Sequence, residues 1–147
     1  MDKNSYKKLV HKAVPPSPKF KNTLFAFLFG GGICTLGQAF RTLYMFWGAD
    51  KETASTLVAV TLVALSATLT ALGVFDEIAR YAGAGTIVPI TGFANSVVSP
   101  AMEFQTEGRI FGTAANMFKI AGPVIVYGTA AAFVYGVIYW LFGLIQG

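Results

Sequence analysis

The chain is poor in charge. Only 12% of its 147 residues are Asp, Glu, Lys or Arg, about half the share of an ordinary soluble domain. None occurs in residues 53–75, 81–102 or 120–147, and residues 22–40 are also free of them. Each run has about the 20 residues that cross a bilayer as a helix. The chain has one cysteine and one histidine. A single Cys34 excludes an internal disulfide and leaves the redox compartment unreadable. His11 stands alone in a basic arm, so no His/Cys/carboxylate set has metal-ligand spacing. No glycine-rich loop with its lysine can cradle a phosphate, and no Ser-His-Asp set is present. Neither a metal nor a cofactor is expected, and no motif supports an enzyme. Regular short alternating strands are absent too, which argues against a membrane barrel.

What is there is 54% hydrophobic, with a mean hydropathy of +0.59. The expected fold is all-α: a polytopic integral membrane helical bundle with interrupted or re-entrant helices. A basic, proline-containing arm (1–21) precedes a single membrane domain (22–147), with hydrophobic segments near 22–46, 53–75, 81–102, 110–118 and 120–144. The arm holds six lysines against Asp2, a net +5, while the whole chain carries +4. Positive charge beside a first span holds that end in the cytoplasm, near anionic lipid. Nucleic acid is not an expected partner, because no repeated aromatic pattern accompanies the lysines.

Small residues mark the expected helix contacts. Gly30, Cys34 and Gly37 fall at i, i+4 and i+7, and Gly128, Ala132 and Gly136 form a ladder in the last segment. Ala59, Ser66 and Gly73 recur every seven residues, with Thr70 four beyond Ser66. Arg41 lies far enough along the first segment to reach the opposite interface, beside Tyr44 and Trp47; a buried place on an ion pathway is the less favoured alternative. Thr53 is expected to cap the second helix. Asp76 and Arg80 are spaced to pair. The triplet Leu28-Phe29-Gly30 echoes Ile110-Phe111-Gly112, a weak hint of duplicated halves.

Residues 85–112 differ from an anchor helix. Pro89, Gly92, Pro100, Gly108 and Gly112 interrupt them, and Asn95, Ser96 and Ser99 lie between. Glu103, Glu107 and Arg109 follow, then Asn116. A broken helix with polar side chains at membrane depth is how a protein lines a path. These seven polar residues form the candidate substrate path, with Asn95, Ser96 and Ser99 favoured. Glu103, Glu107 and Arg109 form a mouth, or merely a solvated loop. Two carboxylates alone make a poor calcium cage.

The segments YKKLVHKAVPPSP, FLFGGGICTLGQAF, GTIVPITGFANSVVSPAMEF and EGRIFGTAANMFKIAGPV resemble the stage V sporulation protein AC family of endospore-forming bacteria, over nearly the whole chain. The resemblance implies a channel subunit that moves dipicolinic acid with its calcium across the inner spore membrane, in sporulation and germination. It also implies partners of the stage V sporulation protein A group: a small membrane subunit and a soluble dipicolinate-binding subunit. On the residues alone, an ion-coupled secondary transporter and a non-conducting membrane scaffold stay open. Homo- or hetero-oligomers are compatible with the small-residue faces.

Overall fold

The computed structural model describes residues 18–146; the basic arm, apart from its last four residues, lies outside them. The described residues form helices joined by short turns, without a strand. In chain order they form α1 (Lys19–Phe46), α2 (Lys51–Ala71), α3 (Val74–Ala82), α4 (Ala84–Ile87) and α5 (Ile90–Glu103). A 3-10 turn (Gln105–Glu107) and a π-helical segment (Arg109–Ala114) then lead to α6 (Ala121–Gln146).

Three helices are long and apolar enough to cross a membrane: Lys19–Phe46, Lys51–Ala71 and Ala121–Leu144. α1 runs unbroken through Gly30, Gly31 and Gly32. In hydrocarbon an open backbone costs more than glycine's extra entropy, so the helix persists. Segment 81–102 is not a continuous span. It contributes the end of α3, then α4, then α5. At about 1.5 Å per residue, the 14 residues of α5 extend about 21 Å, short of the roughly 30 Å core.

The interior inverts the pattern of a soluble protein. Its buried apolar residues are mostly small (Ala54, Ala82, Ala94 and Ala121, with Phe75), and its buried polar ones are Ser66, Thr70, Thr86 and Thr91. The large side chains point outward, as lipid contact permits. Small interiors let helices approach closely. The most extensive packing joins α2 to α5; α1 packs on α2, α3 and α4, and α6 meets the rest chiefly through α5.

Local chemistry explains the boundaries. Asp50, not Thr53, caps α2: its carboxylate accepts from the backbone N–H groups of Glu52 (3.1 Å) and Thr53 (3.2 Å). The cap sits one turn earlier because Asp50 keeps extended backbone while Thr53 is already helical. Hydrogen bonding from Thr53, side chain first and backbone second, holds the Asp50 carboxyl below its ordinary value of 3.8. After Gly73, α3 is strongly amphipathic. Its Phe75 is buried while Asp76, Glu77 and Arg80 are exposed. Arg80 pairs with Glu77 at 3.4 Å, not with Asp76. Both spacings are reachable on a helix, and solvated pairs of this kind contribute little.

α1 and α2 are joined by a polar link. Tyr44 Oη lies 2.7 Å from Thr61 Oγ1. Thr61 donates its single proton to the Leu57 carbonyl at 2.8 Å, so Tyr44 is the donor to Thr61. Leu28–Gly30 and Ile110–Gly112 are not alike in backbone: the first is mid-α1, the second lies in the π-helical segment.

Candidate functional site

The candidate site is the elbow formed by α4 and α5, together with the part of α2 it packs on. Two glycines allow it. Gly85 meets α1 so closely that an added Cβ would lie 3.0 Å from Ala26 Cα and Gly30 N, and closer still to the Ala26 carbonyl oxygen. Only glycine fits there. At Gly92 an added Cβ would lie 2.8 Å from Ile87 Cα and closer still to the Thr86 and Ile87 carbonyl oxygens, so only glycine lets α5 fold back on α4. Beyond the elbow, Gly108, at φ +104°, turns the chain out of the 3-10 turn in a conformation other residues avoid. Between α4 and α5, Pro89 takes extended backbone (φ −69°, ψ 165°) and starts the new helix. It has no N–H to lose at that position.

Hydroxyl and amide bonds hold α5 to α2. Ser66 Oγ donates to the Thr91 carbonyl at 2.6 Å. Thr70 Oγ1 lies 2.8 Å from the Ser66 carbonyl and 2.9 Å from the Asn95 side-chain amide. Thr70 has one proton for two neighbours. Both contacts are satisfied when Thr70 donates to Ser66 and Asn95 turns its Nδ2 toward Thr70 Oγ1. Asn95 is thereby a strut between helices. Such bonds are each worth about 0.6 kcal/mol in a membrane, so they set register more than stability.

The other path residues divide between structural and open positions. Ser96 Oγ donates to the Phe93 carbonyl in its own helix at 2.7 Å. Ser99 is half-buried on α5. Asn116 Nδ2 donates to the Gly112 carbonyl at 2.8 Å and reaches the Phe111 carbonyl at 3.4 Å. It caps carbonyls near the end of the wide π-helical turn. Glu103 ends α5, Glu107 ends the 3-10 turn and Arg109 begins the π-helical segment; all three are exposed. Among the described residues they form no ion pair, and no group of three acids, histidines or cysteines could hold a metal ion. Lys119 instead lies 5.0 Å over the Phe104 ring, pinning this connection by a cation–π contact.

The expected packing residues also divide. Gly30 faces Gly85, and Gly37 is buried against Leu62 and Val58. Cys34 is exposed, on the wall of a shallow apolar groove between α1 and the elbow. A Cβ added to Gly128 or Gly136 would meet nothing within 4 Å, and Ala132 is likewise exposed. The α6 ladder packs against nothing among the described residues.

Sequence reasoning held one feature as the lesser alternative and missed another. Arg41 is half-buried, and among the described residues its Nε has neither solvent nor a hydrogen-bond partner. The Ser66–Thr91 bond ties the elbow to α2. The Ser66 and Thr70 spacing was visible as a small-residue pattern, but nothing in it named α5 as the partner.

These features define a polytopic all-α membrane protein built around a broken, polar helix. Residues 22–138 match the model of the SpoVAC/SpoVAEB sporulation membrane protein family. The chain is 45% identical over 141 residues to stage V sporulation protein AC of Bacillus subtilis (strain 168), covering 95% of this chain and 94% of that protein. The chain belongs to the SpoVAC/SpoVAEB sporulation membrane protein family. No solved structure matches it.

Proposed function

We propose that the chain is one subunit of a multi-subunit conduit carrying dipicolinate with calcium across the inner spore membrane. The observation that carries this reading is α5: a helix too short to span, broken from α4 at Pro89 and fixed to α2 through Ser66, Thr70 and Asn95. A plain anchor has no use for that construction. Broken helices with amides and hydroxyls replace water around a polar solute without fixing a large opposing charge.

The conduit runs between chains rather than through one. The cavity beside the elbow has a volume of about 150 Å³ and a wall that is almost wholly apolar, which a dianion or its chelate would not enter. In this reading Ser99 and the outer side of α5 face the path, with Asn95, Ser96 and Asn116 as the frame that fixes it. Glu103, Glu107 and Arg109 form its mouth. Arg41, with its unpartnered Nε, is an additional anion contact. The partners are the small membrane subunit and the soluble dipicolinate-binding subunit of the same system. The N-terminal arm lies on the spore-core side.

A scaffold role is the second reading. It is favoured by the internal bonding of Asn95, Ser96 and Asn116 and by the open ladder of α6. The ion-coupled transporter is less well supported, because Glu103 is exposed at a helix end rather than enclosed.

Spores carrying Ser99→Leu with Arg41→Gln separate the two main readings. Lowered dipicolinate content, with normal membrane levels of the variant and normal co-purification of its partners, is expected for a conduit. Normal dipicolinate content refutes the path and leaves the scaffold.

A further inference from the structure

We infer that the surface where α1 meets α3 and α4 is a seat for one anionic phospholipid, with its headgroup in a polar cleft near the start of α1 and an acyl chain in the groove that continues from it. The cleft has a volume of about 440 Å³ and is walled by Asn22 and Thr23 of α1 and by Arg80 and Tyr81 of α3. Lys21 borders an adjoining hollow that shares Asn22, Arg80 and Tyr81. Ala26 and Ala84 belong both to the cleft and to the apolar groove between α1 and the elbow. That groove, of about 330 Å³, also takes in Gly30, Gly31 and Cys34. Polar cleft and apolar groove are therefore one continuous surface.

Charge and length choose the occupant. Arg80 spends one nitrogen on Glu77 at 3.4 Å and keeps further N–H donors. Asp76, the other acid of α3, is exposed and takes no part in the wall. The first turn of α1 carries no acid. Lys21, Arg80 and the Asn22 amide thus offer positive charge and donors to a phosphodiester, and basic pockets between membrane helices hold anionic headgroups in this way. A free anion satisfies the cleft but leaves the apolar groove empty. The protein's own arm has the wrong sign, since residues 1–17 hold four lysines against one aspartate. From Asn22 to Cys34, α1 rises about 18 Å, close to the roughly 15 Å of hydrocarbon in one leaflet. An acyl chain in the groove rests against Gly30, Gly85, Val88 and Pro89, where α4 approaches α1 most closely. The seat takes a different class of molecule from the cargo, and its occupancy does not depend on the transport reading.

The test is native mass spectrometry of the full chain in mild detergent, titrated with phosphatidylglycerol or phosphatidylcholine, with glycerol 3-phosphate and dipicolinate as competitors. One phosphatidylglycerol is expected to bind saturably and more tightly than phosphatidylcholine, and neither competitor should displace it at equal concentration. Lys21→Gln and Arg80→Gln should each weaken phosphatidylglycerol about fivefold, the effect of one basic residue at the membrane surface, and leave phosphatidylcholine unchanged. Gly31→Leu, which places a side chain in the groove, should weaken both lipids, whereas Gly32→Leu, outside the groove, should weaken neither. A Cβ at either glycine meets nothing within 4 Å, so both variants should fold as wild type does. Absence of saturable binding, or equal affinity for the two lipids, overturns the seat. Displacement by glycerol 3-phosphate reduces it to a site for free phosphate, displacement by dipicolinate makes it a cargo site, and a lipid-free dimer places a second copy in the groove; each of these overturns the lipid. Unchanged phosphatidylglycerol affinity in both charge variants, or equal affinity in the two glycine variants, overturns its location.

Discussion

Gly85→Ala is the sharpest perturbation of the elbow. The added methyl carbon would lie 3.0 Å from Ala26 Cα and Gly30 N, and within closer contact of the Ala26 carbonyl oxygen. All three are backbone atoms of α1, so no rotamer change relieves the clash. α4 must retreat from α1, and the close packing between them opens. Overpacking of this kind costs about 1–3 kcal/mol, or about 5- to 150-fold in the folding equilibrium, taking about 1.4 kcal/mol per factor of ten. Gly31→Ala supplies the matched control, since a Cβ there meets nothing within 4 Å, and alanine is the better helix former by about 1 kcal/mol. Reversible unfolding in mixed micelles, titrated with SDS and followed by circular dichroism, measures both. Gly85→Ala should unfold at clearly lower SDS than wild type, and Gly31→Ala at the same or higher SDS. Equal midpoints for the two variants would refute the close approach of the elbow to α1.

Other outcomes follow from the same geometry. Asn95→Leu removes the strut to Thr70, and should cost stability by less than Gly85→Ala in the same titration while lowering dipicolinate flux; unchanged flux would show that the strut does not shape the path. Asp50 is a depressed carboxyl, so its contribution to α2 is present above about pH 3.8 and is lost as pH falls through its lower folded value. Hydrogen exchange at Glu52 and Thr53 should accelerate only in that acid range, and Asp50→Ala should accelerate it at all pH values. Gly128→Ile and Gly136→Ile should leave the chain's own unfolding unchanged, because both sites are open, yet weaken co-purification of partner subunits. A loss of monomer stability would place the α6 ladder inside the chain instead.

The helical membrane architecture was legible because hydrophobic length and missing charge act locally. The continuous α1 through three glycines and the breaks around Pro89 and Gly108 follow from the backbone chemistry of those residues. The pairings were less legible. Asp76 and Glu77 are both within reach of Arg80 on a helix, and sequence spacing does not choose between them. Asp50 displaced Thr53 as the cap because an aspartate just before the helix presents its carboxylate to two free N–H groups. The tie of α5 to α2 joins residues 25 apart, Ser66 to Thr91 and Thr70 to Asn95, and no local pattern encodes such a meeting. Asn95 and Asn116 read as polar path residues in sequence because an amide at membrane depth needs a partner. The structure supplies partners within the chain: Thr70 for Asn95 and the Gly112 carbonyl for Asn116.

The most direct test is dipicolinate flux through proteoliposomes containing this chain with its small membrane partner, measured beside liposomes holding the partner alone. Saturable passage of calcium dipicolinate that needs this chain, proceeds without a pH gradient and falls in Ser99→Leu is the predicted result. Passage by the partner alone at the same rate, or no passage by the pair although both are folded and associated, would contradict the conduit.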